Sequence, residues 1–169
     1  MENYKLSDET KTTPWGVILH RIVATTTFTL AIGITINAGD TGGWIEKESN
    51  LSGNAWVSGD AWVYGNAKVY GNALVSDNAK VSGDAKVYGV VEVYGDARIK
   101  SQKDYIVFKN SWSSGRYFTY TKSNKMWKVG CFYGTSQELI EKAYGDSEDS
   151  GNHYKACVDF VETLEQLRK

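Results

Sequence analysis

The chain has 169 residues, enough for one substantial domain or for a repeat body with a small appendage, and too few for two domains of ordinary size. Its 19 Lys and Arg against 20 Asp and Glu leave a net charge of −1, so global electrostatics names no partner and any basic patch must be local. Seventeen Gly against a single Pro, Pro14, is unusual for a helical protein and ordinary for a chain with many tight corners.

The opening stretch, "MENYKLSDETKTTPWGV", is polar and acidic and does not read as a signal peptide. The next, "GVILHRIVATTTFTLAIGITINAG", is rich in Thr, Ile and Val and predicts strands, with His20 an ordinary polar position among them. From residue 45 an aliphatic side chain falls at every sixth position without a skip: Ile45, Leu51, Val57, Val63, Val69, Val75, Val81, Val87, Val93 and Ile99. Four residues after most of these stands a small one, Ala55, Ala61, Ala67, Ala73, Ala79, Ala85 and Ala97, with Val91 the single enlargement. Between them come Gly and then Asn or Asp, as in Gly59-Asp60 and Gly65-Asn66. Asp77 and Val90 break that corner rule and mark places where something else should touch the repeat.

A flat sheet repeats its side chains every 2 residues and a helix every 3.6, so neither can use a period of six. A short strand followed by a sharp corner can: Gly takes a positive φ, Asn or Asp bonds the turning backbone, and each aliphatic points inward. The segment resembles the hexapeptide-repeat family, left-handed parallel β-helices in which about three hexads make one triangular coil. That resemblance implies a mainly β protein in three parts. Residues 1–44 form a β cap, residues 45–103 a left-handed β-helix of about three coils, and residues 104–169 a small α+β module. A cap is needed because an open solenoid end exposes unpaired strand edges.

If residues eighteen apart stack, the outer columns follow. One wall carries Trp56, Leu74 and Glu92; a second Trp62, Lys80 and Arg98; the third Lys68 and Lys86 with Tyr70 and Tyr88. The Trp56/Leu74 stripe is the most apolar and should be covered, either by a neighbouring subunit or by the chain's own flanks. Proteins of this family commonly pack as trimers along their walls, so a homotrimer with Trp56 and Leu74 at the interface is the expectation. Stacked Lys68/Lys86 and Lys80/Arg98 pairs set like charges one coil apart, which is mildly unfavourable unless an anion intervenes; solvated lysines are the plainer reading.

Family enzymes resemble one another in using a histidine general base in acyl transfer. Here only His20 and His153 exist, neither in the repeat, and no insertion breaks the hexads. A non-catalytic protein is therefore expected, with no cofactor or metal, and His153 is where an acyltransferase alternative would rest.

After Lys103 the composition changes. "DYIVFKN", "GRYFTYT" and "KMWKVGCF" predict three short strands. "TSQELIEKAY" opens a helix with a capping-box pattern from Thr135 to Glu138. A final helix shows Cys157, Phe160, Val161 and Leu164 at helical spacing, a face expected to pack on the small sheet. Cys131 and Cys157 have no metal-like spacing and read as free thiols of a reducing compartment. No apolar run approaches the ~20 residues of a membrane span, so a cytoplasmic location is expected.

Between Tyr105 and Gln137 there are five cations, Lys109, Arg116, Lys122, Lys125 and Lys128, and no carboxylate, interleaved with Trp112, Tyr117, Phe118, Tyr120, Trp127, Phe132 and Tyr133. Cations alternating with flat rings suit a nucleotide or single-stranded nucleic acid, whereas a plainer reading makes half the rings a core. "FKNSWSSGRYFTYTKSNKMWKVGCFYGTSQELIEKAY" and "GGWIEKESNLSG" resemble uncharacterised repeat proteins of tailed phages and prophages. That resemblance implies an anti-defence protein that binds a host immune complex or sequesters a small anionic nucleotide signal, with nucleic acid less favoured and a structural phage component as a further alternative. The expected binding residues are Lys109, Trp112, Arg116, Tyr117, Lys122, Lys125 and Lys128 on the module, and Lys68, Lys86, Tyr70 and Tyr88 on the repeat.

Overall fold

A computed structural model describes residues 2–167. It divides into two compact units, one up to Tyr105 and one from Ile106 onward. In chain order the first holds β1 (Tyr4–Thr12), β2 (Ile18–Ala24), β3 (Phe28–Thr29), β4 (Thr35–Ile36), β5 (Thr41–Ile45), β6 (Trp56–Val57), β7 (Trp62–Val63), β8 (Lys68–Gly71), β9 (Leu74–Val75), β10 (Lys80–Val81), β11 (Lys86–Gly89), β12 (Glu92–Val93) and β13 (Arg98–Ile99).

From β5 onward these strands form a solenoid of about three turns with three parallel walls. β5, β7, β10 and β13 line one, β6, β9 and β12 the second, β8 and β11 the third. The eighteen-residue stacking holds throughout: Trp44, Trp62, Lys80 and Arg98 are register partners, as are Trp56, Leu74 and Glu92, and Tyr70 with Tyr88. Every aliphatic of the six-residue ladder, from Ile45 to Ile99, is buried, together with the small residues between them. Burial of each such side chain contributes on the order of 1.5–3 kcal/mol, which is why the period tolerates so little variation inside.

Corners are equally constrained. A Cβ on Gly71 would lie 3.0 Å from the Gly89 nitrogen, in a backbone of φ +78. Asp77 keeps the left-handed corner at φ +59, and its carboxylate accepts a hydrogen bond from the Gly95 N–H at 2.9 Å. The first corner is filled instead by buried Asn50, whose amide donates to the Ala67 and Gly65 carbonyl oxygens (2.8 and 3.2 Å) and accepts from the Lys47 N–H.

The cap is a strand meander: β2 pairs antiparallel with both β1 and β5, covering the edge that β5 would otherwise expose. β1 was not expected as a strand. It is an edge strand whose charged side chains face outward, so its composition reads as loop. The β3–β4 hairpin lies on the second wall, where the Phe28 ring meets Trp56 edge-on at 5.9 Å and the Ala31 N–H donates to Asn72. Trp56 and Leu74 are therefore only 2% and 3% exposed, covered by the chain's own flank. This corrects the placement of Trp56 and Leu74 at an oligomer interface: side chains this buried offer nothing to a second copy.

The second unit is built from a four-stranded sheet, β14 (Tyr105–Lys109, beginning at the unit boundary), β15 (Tyr117–Thr121), β16 (Met126–Val129) and β17 (Phe132–Gly134), with helices α1 (Ser136–Asp146) and α2 (Glu148–Gln166). The expected third strand is two strands, because Gly130 at φ +56 turns the chain between β16 and β17. The capping box at Thr135 and Glu138 forms as expected. Phe118, Trp127, Val129, Leu139, Val158 and Val161 make the core, while Phe160, expected to pack on the sheet, is 56% exposed. Val161 packs as expected and Cys157 is partly buried against the same core, while Gly151, Tyr154 and Val158 complete the buried stripe of α2 in place of Phe160. Among the described residues no helix is long and apolar enough to cross a membrane.

Candidate functional site

The expected basic and aromatic residues of the module are divided by the sheet. Phe118, Tyr120 and Trp127 are core. Lys128 is buried, with its ammonium bonded to the Gly130 carbonyl oxygen. Lys125 sits at the turn after β15 and lines a hollow with Glu162 and Glu165, acidic company unsuited to an anion. Lys122 stands just beyond β15, and Arg116 lays its stem against Gly130.

Lys109 meets Tyr117 on one side and shares a groove with Trp112. The Lys109 ammonium lies 5.7 Å from the Tyr117 ring centre. Trp112 is 79% exposed on the loop between β14 and β15. Asn110, itself buried, holds that loop: its carbonyl oxygen accepts from the Trp112 and Ser113 N–H groups at 3.2 Å, and its amide donates to Ser113. A groove of about 470 Å³ follows, lined by Phe108, Lys109, Trp112, His153, Cys157 and Phe160 among others. Burial pushes the Cys157 thiol up, so it stays protonated and unreactive at neutral pH. His153 points its Nδ1 at the Asp149 carbonyl oxygen one helical turn back, at 2.8 Å.

On the third solenoid wall Tyr70 and Tyr88 stack at 5.1 Å with planes 10° apart, flanked by the Lys68/Lys86 pair. The Tyr105 hydroxyl donates to the Lys86 carbonyl oxygen at 2.8 Å.

The first wall holds a group that sequence reasoning did not assemble. Arg21 and Lys11 lie over the Trp44 ring at 4.9 and 4.4 Å, and Lys80 over Trp62 at 4.0 Å. Trp15, from the loop between β1 and β2, leans on this ladder, edge-on to Trp62 at 6.3 Å and tilted against Tyr64 at 5.6 Å. Beside it runs a groove of about 400 Å³ lined by Trp15, Tyr64, Lys80, Ser82, Arg98 and Lys100. Trp15 is nearly fifty residues from Tyr64 in sequence, a separation that is no multiple of the eighteen-residue column spacing, and the antiparallel cap that brings them together leaves no periodic signal.

Parallel walls, an unbroken buried ladder and left-handed corners define a β-solenoid protein. The chain is similar to one known family in its repeat: the model of the YdcK Beta solenoid repeat matches residues 67–83. No curated protein matches the chain.

Proposed function

We propose that this is a non-catalytic binding protein that docks a partner protein on the Trp112 face of its C-terminal module. One observation carries the reading: Trp112 and Phe160, two of the largest apolar side chains of the unit, are both exposed and rim the same apolar groove. Exposed rings gathered at one groove mark an interaction surface, and a Trp with neighbouring cations is the composition of a binding hot spot. A partner segment with an apolar anchor for the groove and an acidic flank for Lys109 fits. In the setting that the phage and prophage resemblance implies, the partner is a host immune complex, held inactive in the bacterial cytoplasm, and the solenoid is a rigid carrier.

Chemistry at the groove finds little support. A protonated Cys157 is a poor nucleophile, and His153 is engaged by its own helix.

The test is a pull-down from bacterial lysate with wild type, Trp112→Ala and Phe160→Ser. A host protein retained by wild type should be lost from both variants, each weakened by about 2 kcal/mol or more, roughly thirtyfold in Kd. Equal retention by all three would end this reading.

A further inference from the structure

We propose that the groove on the first solenoid wall binds a free nucleoside phosphate, its base lying on the indole of Trp15 and its phosphate held by Lys80, Arg98, Lys100 and the Ser82 hydroxyl. Three features of the groove lead there.

The first is its polarity along the solenoid. Trp15 and Tyr64 stand at the coil of β7, Lys80 and Ser82 one strand further on, Arg98 and Lys100 one strand beyond that. Rings are thus at one end and cations at the other, across two strand spacings of about 10 Å. That is the scale of a nucleotide from base to phosphate. A bare anion would leave the ring end unused, and an uncharged aromatic would leave the cations unused.

The second is charge. Lys80 and Arg98 are direct register partners, an arrangement that destabilises a sheet when both carry the same sign. Lys100 follows two residues later, where Asp104 fixes its backbone N–H at 2.7 Å. No carboxylate is among the described lining residues. At the head of the same column the Glu46 carboxylate accepts from the Gly65 N–H at 2.6 Å. Lys80 rests on Trp62 by one side of its ammonium, and three N–H donors leave others to meet a phosphate oxygen. A dianion would draw Lys80, Arg98 and Lys100, which line one groove, into a single charge-assisted hydrogen-bond site.

The third is the indole. Trp15 is 55% exposed although it contacts two other rings, so a face of it remains for stacking. The tilt of 41° between Trp15 and Tyr64 leaves no slot between them, so the base stacks on Trp15 from outside. Base-on-ring stacking and phosphate–cation pairing are the two interactions nucleotide sites combine. The cavity volume lies within the range of small-ligand sites, about 300–1,000 Å³.

The full chain titrated calorimetrically with AMP, GMP, CMP and UMP provides the test, with adenosine, inorganic phosphate and decathymidylate alongside. At least one monophosphate should bind saturably with Kd below about 1 mM, and adenosine and inorganic phosphate roughly tenfold or more weaker. Trp15→Ala and, at an exposed position at the other end, Lys100→Glu should each weaken binding roughly tenfold or more. Lys100→Glu keeps the test valid should Trp15→Ala disturb the cap. Trp112→Ala, in the other unit, should bind as wild type, so this proposal and the docking of a partner protein fail separately. The proposal is overturned by no saturable monophosphate binding, by inorganic phosphate matching the nucleotides, by decathymidylate outbinding all of them, or by wild-type affinity in both groove variants.

Discussion

Tyr105 and Tyr94 show how half-buried phenols tie solenoid packing to pH. The Tyr105 phenol is pushed up to about 12, first by burial and then by Tyr88 and Tyr70 beside it; Tyr94 is pushed up to about 12 by burial, then by Glu92 and Asp77. An unfolded tyrosine ionises near 10. Folding therefore favours the neutral phenol, and the stability it contributes is complete below pH about 10 and lost as pH rises toward 12. Urea midpoints measured from pH 9 to 12 should fall for wild type and fall less steeply for a Tyr94→Phe, Tyr105→Phe double variant; parallel declines would refute this. Neither role is visible in the sequence, where Tyr105 opens an apolar strand and Tyr94 stands at an ordinary corner. Asn50 is similar: "ESNLSG" reads as an ordinary corner, and only the structure shows its amide plugging the first coil. The inward residues were legible, because a period of six admits one arrangement of them.

Elements were legible where one periodicity governed them and obscure where two neighbours shared the burial. β6 to β13 fall where the hexads put them. β1 is obscure because edge strands carry charge, and on α2 the helical period admits Phe160 as readily as Tyr154 and Val158, so Val161 and Cys157 pack as read while Phe160 faces out. The β3–β4 hairpin settles what covers the second wall. Trp56→Ala should lower stability by about 3–5 kcal/mol through the cavity left against Phe28 and the wall. Sedimentation should show the mass of the wild type unchanged in that variant; dissociation of an oligomer would return Trp56 to an interface.

At the scale of the whole molecule the described residues form two hydrophobic clusters, one running along the solenoid and its cap, the other within the module. Two cores predict two unfolding transitions. Trp127→Ala, removing the largest fully buried side chain, should cost the module about 3–5 kcal/mol and leave the solenoid transition in place by calorimetry. The candidate sites were only partly legible for a related reason. Lys109, Trp112 and Tyr117 are close in sequence and could be named, whereas Trp15, Tyr64, Lys80 and Arg98 meet through the cap and three successive coils. Register of that kind makes the first wall a ruler marked in units of eighteen residues. Inserting one consensus coil between Lys80 and Arg98 would move the far cations one graduation, about 4.8 Å, from the indole without altering any corner or any inward residue. Chain length alone would then set how long a ligand the wall can measure.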